Sequence, residues 1–279
     1  MKKIFYTIAL GIGLVGCSNN EDELPVRDTF PEDHVIRIIT EVNKPLSRAG
    51  YDATNLECFG LMVQNSENTA YSYHKQMIAS GSGWSTSDGQ QMLWDPERTP
   101  VTMIAYAPYM REAAPDALLT INALTNQTTE ENVKSSDFLL MKATVNPERD
   151  LTADGKLRVS LNHAMSKLVI KFTVNGTTDA AMNKLGDVSI NGVIVNATCD
   201  LAAAVPAVVP VADAPVATVA PYKGTDYYEC ILPPQKIAEG LSVNFSYNGK
   251  LYTWSAKAPI ELKKGVEHIL NLNVGGDKL

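Results

Sequence analysis

The sequence contains Lys156-Leu-Arg-Val-Ser-Leu-Asn-His-Ala-Met-Ser-Lys-Leu-Val-Ile-Lys-Phe-Thr-Val174, in which the hydrophobic pattern changes parity. Up to Leu161 the apolar side chains occupy odd positions, whereas from Leu168 onward they fall on even positions. Successive side chains of a strand point to opposite faces, so one regular strand cannot keep both sets on the same face. The pattern therefore predicts a bulge, a bend or a change of strand near residues 163–166, and we place a domain boundary there.

Short strands are predicted on both sides of this boundary. Val, Ile, Thr and Tyr cluster in runs bounded by Gly, Pro, Asn and Asp, which is typical of β-sandwiches. The predicted strands are 56–63, 70–78, 91–93, 101–107, 138–144, 156–161, 188–195, 227–232, 241–247, 251–255 and 267–274. Residues 109–136 are predicted to be irregular with a short helical turn, and residues 179–185 to form one or two helical turns. Four prolines in residues 202–221 favour an extended loop or an edge segment there.

The N-terminus has the layout of a lipoprotein signal peptide. Lys2 and Lys3 precede an apolar run at residues 4–15, which is too short to span a hydrocarbon core of about 30 Å. Gly16 then precedes Cys17, so we predict cleavage before Cys17 and attachment of lipid to its thiol. An ordinary signal peptide with an unrelated cysteine is the alternative. The acidic, polar residues after Cys17 predict a solvated tether.

A first strand is predicted at residues 34–42. One of its faces carries Ile36, Ile38, Thr40 and Val42. Val35 and Ile39 make the opposite face partly apolar, so we expect this strand to be buried on both faces. Residues 43–50 contain proline and glycine among polar residues, which predicts an exposed loop of the kind that proteases cut.

Charge and cysteine content limit the possible partners. The formal net charge of −7 disfavours nucleic acid as a partner, and an apolar content of 45% is sufficient for a globular core. Beyond the signal peptide, no segment has the composition of a transmembrane helix. With Cys17 lipidated, three cysteines remain; Cys199 and Cys230 either form a disulfide or are buried free thiols.

No constellation of residues indicates catalysis. The four histidines, His34, His74, His163 and His268, lack the close spacing of zinc ligands, and His163 is predicted to hydrogen-bond a strand end. Residues 150–155 resemble the opening of a calcium loop, but they lack its later ligands and are interpreted as a plain turn. We therefore expect no enzyme, no metal and no cofactor.

Four aromatic residues in the first half of the chain admit two interpretations. They are Tyr71, Tyr73, Trp84 and Trp94. Their rings could form a platform that binds sugar, or they could fill the core of a sandwich; packing in the core is the preferred interpretation.

The residues around the parity change resemble the fimbrillin family, lipoprotein-derived pilins of Bacteroidales-type bacteria. His163-Ala-Met-Ser-Lys-Leu168 is similar to the family pattern His-Ala-Leu-Ser-Lys-Leu, with methionine in place of leucine. Weaker similarities are Trp94 ahead of Thr102-Met-Ile-Ala-Tyr-Ala-Pro108, Ser136-Asp-Phe-Leu-Leu-Met141, Leu232-Pro-Pro-Gln235 and Leu262-Lys-Lys-Gly265. The similar segments extend over most of the chain after the predicted tether.

The resemblance implies two tandem transthyretin-like β-sandwich domains, at residues 49–165 and 166–279, after a signal peptide at 1–16. It further implies that residues 17–48 are a lipidated tether with a removable first strand. In the family an arginine-specific protease removes this strand, and Arg48 before Ala49 matches the family's Thr-Arg-Ala site with serine at residue 47. The vacated groove then accepts a strand from a neighbouring subunit.

The expected function follows from this resemblance. The chain is predicted to be a stalk, accessory or tip subunit of an adhesive fimbrium, with other pilin subunits and the protease as partners. It would be held at the outer membrane through lipid on Cys17 before processing, and would belong to the fimbrium afterwards. The alternative is a permanently anchored surface lipoprotein that binds a glycan or a host protein.

Overall fold

The computed structural model of the chain describes residues 28–43, 50–81, 83–174 and 182–274. These residues form twenty strands, a short α-helix, α1 (Glu130–Ser135), and a 3-10 turn at Thr69–Tyr71. The strands are β1 Arg37–Asn43, β2 Cys58–Gln64, β3 Tyr73–Ser80, β4 Gly83–Thr86, β5 Val101–Ala107, β6 Leu118–Asn122, β7 Leu139–Val145, β8 Lys156–His163, β9 Ser166–Thr173, β10 Leu185–Val193, β11 Asn196–Asp200, β12 Val208–Pro210, β13 Ala217–Val219, β14 Tyr222–Lys223, β15 Tyr228–Leu232, β16 Gln235–Ile237, β17 Ser242–Tyr247, β18 Lys250–Ser255, β19 Ile260–Leu262 and β20 Glu267–Asn273. The fold is all-β, as predicted.

A seven-stranded sheet contains most strands from the first half of the chain, in the order β1-β8-β7-β5-β2-β3-β4. Its central strands are buried on both faces, which explains their nearly continuous apolar sequences. On β2, Phe59 and Leu61 face a core cluster that also contains Trp94, whereas Met62 faces a second cluster that contains Phe172.

Two four-stranded sheets contain most strands from the second half, in the orders β13-β10-β17-β18 and β14-β15-β9-β20. Phe172 of β9 meets Phe245 of β17 and Tyr228 of β15 edge to face, with ring centroids 4.9 and 5.8 Å apart. Such pairs stabilise the core beyond the apolar area that they bury. The second core cluster thus joins the two sheets.

The parity change coincides with a change of strand, as predicted. β8 ends at His163 in the seven-stranded sheet and β9 begins at Ser166 in another sheet, with Ala164 and Met165 fully buried between them. Pairing also crosses this point of the chain, because β6 lies antiparallel to β11. The division into domains at 165/166 stays a prediction.

Some predicted elements differ from the structure. β6 lies in the region predicted to be irregular, where α1 supplies the expected helical turn. The strand predicted at 91–93 is reduced to an isolated bridge between Leu93 and Val35. The helical turns predicted at 179–185 fall partly outside the described residues, and Leu185 already belongs to β10.

The proline-containing segment 202–221 forms two edge strands, as one of the two predicted alternatives requires. β12 and β13 are three residues each and lie at the edges of their sheets. The Lys142 ammonium of β7 holds the start of the segment, since it donates to the carbonyls of Leu201 at 2.7 Å and Ala203 at 2.9 Å.

The two late cysteines are buried free thiols, so the disulfide alternative is wrong. Cys199 lies on β11 and Cys230 on β15, in different sheets. Burial raises the pKa of the Cys199 thiol to about 11, which disfavours the reactive thiolate. In the part of the chain that the structure describes, no helix is both long enough and apolar enough to cross a membrane.

Candidate functional site

The first strand of the described chain occupies an edge of the seven-stranded sheet. β1 pairs parallel to β8 over seven residues, from Arg37 opposite Lys156 to Asn43 opposite Asn162. Just before β1, the chain is also bonded on its other side. The Ile36 N–H donates to the Met92 carbonyl at 2.9 Å, and the Trp94 N–H donates to the His34 carbonyl at 2.7 Å. The segment 34–43 therefore has backbone partners on two sides: β8 along residues 37–43, and residues 92–94 beside its first residues.

The inner row of this segment is apolar with one polar position. Ile36 and Ile38 are 6% and 4% exposed and belong to the first core cluster, and Val42 packs against that cluster. Thr40 lies opposite Val159, in the same inner row. Its hydroxyl accepts a hydrogen bond from the Trp84 indole N–H of β4 at 3.0 Å.

The outer row of β1 is polar and more exposed. Glu41 forms an ion pair with Arg158 of β8, and the Asn43 amide donates to the Asn162 side chain at 3.0 Å. Ile39, on the same face, is half-buried. The expectation that this strand is buried on both faces is therefore wrong, because β1 is an edge strand with its outer face towards solvent.

An ion pair fixes the chain just before β1. Arg37 donates to the Asp33 carboxylate at 2.9 Å, and this hydrogen bond lowers the pKa of Asp33 to about 2. Both side chains are about half exposed, so this pair adds little stability on its own.

A cavity of about 530 Å³ separates the free side of β1 from β4. Ile36 and Ile38 line one wall, and Met77, Trp84 and Met92 line the other. Trp84 crosses this space to reach Thr40, and its ring packs edge to face on Phe59 at 4.8 Å. The orientation of the indole is therefore set by the core.

The predicted lipidation and cleavage residues, Cys17, Arg48 and Ala49, lie outside the described residues. The described chain on each side of residues 44–49 is attached near the end of β8. Asn43 contacts Asn162, and the Tyr51 N–H donates at 3.3 Å to Asp137, whose carboxylate lies 2.8 Å from the His163 Nδ1. Both flanks of the predicted cleavage site are thus fixed beside the same end of β8.

The other residues singled out in the sequence have structural contacts. His163 is buried, and its Nδ1 lies 2.8 Å from the carboxylate of Asp137, just ahead of the start of β7. Asp154 accepts from the Thr152 hydroxyl and pairs with Lys156, and within the described ranges no group of His, Cys, Asp or Glu side chains could hold a metal ion. Trp94 is 1% exposed and fills the core.

The sequence did not reveal two parts of this site. The contact of Trp84 with Thr40 joins residues 44 positions apart, and the pairing of residues 92–94 with residues 34–36 joins separate segments. The isolated apolar pair Met92-Leu93 ahead of Trp94 was a signal for a strand, although the sequence does not specify its partner.

Comparison with known proteins agrees with this architecture. The sequence profile of the family described as fimbrillin-like matches residues 48–279. No curated protein matches the sequence.

The solved structures that share the fold include two candidate cell adhesion proteins and a fimbrial protein. A candidate cell adhesion protein from Bacteroides uniformis is 16% identical with a TM-score of 0.63, and the match covers 86% of this chain and 93% of that chain. One from Bacteroides ovatus is 17% identical with a TM-score of 0.64, covering 87% and 93%. A fimbrial protein from Bacteroides ovatus is 17% identical with a TM-score of 0.52, covering 88% and 51%. At these identities the likeness concerns the fold alone, whereas the profile match spans most of the sequence. The chain therefore belongs to the fimbrillin-like family.

Proposed function

We propose that this protein is a structural subunit of a cell-surface fimbrium, in a stalk, accessory or tip position, and that it supports adhesion. Membership of the fimbrillin-like family supports this role. Solved structures with a similar fold include two candidate cell adhesion proteins and one fimbrial protein.

The observation that carries the proposal is the position of β1. It is the first strand of the described chain, it lies at a sheet edge, and its inner row enters the core through Ile36 and Ile38. A strand in this position can leave without dividing the sheet, and a strand from a neighbouring subunit can then pair with β8. Assembly by strand exchange requires a strand of this kind.

Removal of β1 would destabilise the sheet, so that binding of another strand in its place would be favourable. Full burial of one isoleucine stabilises by about 1.5–3 kcal/mol, and two such side chains would leave the core with β1. The backbone groups of β8 that now pair with β1 would also lose their partners. An empty groove would therefore recruit another strand.

We further propose that cleavage after Arg48 triggers the exchange. The profile match begins at residue 48, and the described chain on either side of residues 44–49 is fixed near the end of β8. Cleavage would release β1 together with the tether at Cys17. The lipid would thus hold the precursor at the outer membrane, and the processed protein would belong to the fimbrium.

Proteolysis of the precursor tests this proposal. We expect an arginine-specific protease to give a product that starts at Ala49 by N-terminal sequencing and forms ladders on a non-boiled gel. Arg48→Gln should give neither result. A wild-type chain that stays uncut and monomeric would contradict the proposal.

The natural N-terminus distinguishes the alternative. Protein taken from the cell surface should start at Ala49 if it matures into a fimbrial subunit. A start at Cys17 would instead support a permanently anchored lipoprotein that binds a glycan or a host protein.

A further inference from the structure

The groove under β1 contains one polar contact in an otherwise apolar row. Ile36, Ile38 and Val42 pack on the first core cluster, whereas the Thr40 hydroxyl accepts the Trp84 indole N–H at 3.0 Å. An indole N–H can only donate, so it needs an acceptor from the strand that occupies the groove. The remaining contacts tolerate any apolar side chain of suitable size.

The donor cannot easily turn to another partner. Trp84 sits on β4, which pairs with β3, and its ring packs edge to face on the fully buried Phe59. These contacts fix the direction of the N–H towards β1. A strand with an apolar side chain opposite the indole would leave this partly buried donor unpaired, at a free-energy cost.

We infer that Trp84 sets the register and the sequence of the strand that replaces β1, an inference that rests on the proposed strand exchange. The accepted strand comes from another subunit. It carries apolar residues at the positions of Ile36, Ile38 and Val42, and serine, threonine or asparagine at the position of Thr40. A slip by one residue turns the inner row outward, and a slip by two places an apolar side chain opposite the indole.

The chain's own last strand does not fit this pattern. The segment 264–274, which includes β20, reads Lys-Gly-Val-Glu-His-Ile-Leu-Asn-Leu-Asn-Val. None of its seven-residue windows places three apolar residues and a serine, threonine or asparagine at the required positions. For example, the window that begins at His268 puts Leu272 opposite the indole. The matching strand is therefore not β20 of a second copy, and we assign it to a different kind of subunit.

Peptide binding to an opened groove tests this inference without depending on Arg48. Residues 45–48 are replaced by the recognition site of a sequence-specific protease, the chain is cut, and its first segment is exchanged for labelled peptides of residues 33–43. We expect the Thr40→Val peptide to bind about fivefold to tenfold more weakly than the native peptide, because valine has the same shape but no acceptor. Thr40→Ser should bind nearly as well as the native sequence, and a peptide of residues 264–274 should bind more weakly.

A second variant separates the hydrogen bond from simple packing. In Trp84→Phe, which keeps an aromatic ring but lacks the donor, the difference between the native and Thr40→Val peptides should disappear. Equal binding of these two peptides to the protein with Trp84 would overturn the inference, as would tight binding of the 264–274 peptide. A groove that binds no peptide, the native one included, would instead contradict strand exchange itself.

Discussion

The two terminal strands of the described chain lie parallel to two consecutive strands, but they are held in different ways. β1 pairs with β8, and β20 pairs with β9, each over seven residues at the edge of a sheet. Both strands place apolar side chains in a core, since Ile38 of β1 is 4% exposed and Leu272 of β20 is 5% exposed. β1 is thus held by an apolar inner row, and its outer side chains make exposed polar contacts.

Besides its apolar inner row, β20 is held by hydrogen bonds of the residues just before it and by an ion pair with a buried lysine. Just before the strand, the Lys263 carbonyl accepts from the Ser166 hydroxyl at 2.7 Å, and the Gly265 N–H donates to the Met165 carbonyl at 2.8 Å. The Lys167 ammonium of β9 lies 3.0 Å from Glu229 and 2.7 Å from Glu267. The contact with Glu229 is electrostatic, because neither oxygen of that carboxylate accepts a well-aligned hydrogen bond from the described residues.

This difference bears on the proposed strand exchange. An apolar strand in a groove can be exchanged for another strand of similar pattern, since the groove requires only shape and one acceptor. A strand that also pairs with a buried lysine, and is bonded through the residues just before it, loses these directional contacts when it departs. On this comparison, β1 is the strand suited to exchange.

The largest expected effect concerns the buried charge under β20. Lys167→Met leaves Glu229, which is 1% exposed, without its cation, and should lower the free energy of unfolding by about 3–5 kcal/mol. Urea denaturation followed by tryptophan fluorescence would measure it. Adding Glu229→Leu should recover most of the loss, because no buried charge is then left without a partner, and Glu267 is partly exposed to solvent. A single variant as stable as the wild type would show that the cluster does not hold β20.

The inner row of β1 should come next in size. Ile38→Ala opens a cavity opposite Leu157 and should cost about 2–5 kcal/mol in the same measurement. Ile269→Ala, on the outer row of β20, is a control for truncation of an exposed isoleucine and should stay within about 0.5 kcal/mol, because that side chain is already half in solvent. Equal losses in the two variants would mean that burial of Ile38 does not hold β1.

The sequence predicts the positions of strands from local patterns, but it does not predict which distant strands pair. The apolar run 101–107, bounded by Pro100 and Pro108, predicts β5 at its observed bounds, and the parity change predicts the step from β8 to β9. β6 and β11 are short strands with polar outer faces, and they are stabilised by each other across more than 70 residues of sequence. A local pattern does not specify such a partner, which is why β6 lies in a region predicted to be irregular.

The same limit applies to the candidate site. Alternation identifies the inner row of β1 and shows that Thr40 interrupts it, but a threonine in such a row has no visible partner in the sequence. The indole that binds it comes from β4, at the opposite edge of the same sheet. Curvature of the sheet brings the two edges together, and curvature depends on the whole set of strands.

The outer row of β1 should contribute little. Arg158→Ala removes the ion pair with Glu41, in which both side chains are about half exposed, and should cost at most about 1 kcal/mol. The loss should shrink further in 0.5 M salt, since ions screen exposed charges. A cost as large as that of Ile38→Ala would mean that charge also holds β1, and denaturation at two salt concentrations would reveal this.

The smallest expected effect is a dependence of β20 on pH. Burial lowers the pKa of His268 on β20, and its Nε2 accepts the Lys263 N–H at 2.8 Å, which requires the neutral ring. The unfolded chain takes up a proton more readily, near the ordinary value of about 6.5. The stability that this bond supplies is therefore fully present above that pH and declines as the pH falls below it.

Amide hydrogen exchange at pH 7.5 and 5.5, corrected for the intrinsic rates, would detect this loss of protection. At the lower pH the amides of Lys263 and β20 should lose protection. Those of β1 should lose less, because β1 contains no histidine. His268→Gln keeps an acceptor that does not titrate, so it should remove the difference between the two pH values. If β1 instead lost protection first in the wild type, the strand held by apolar contacts would be the one that responds to pH, and the assignment of charge to β20 would be wrong.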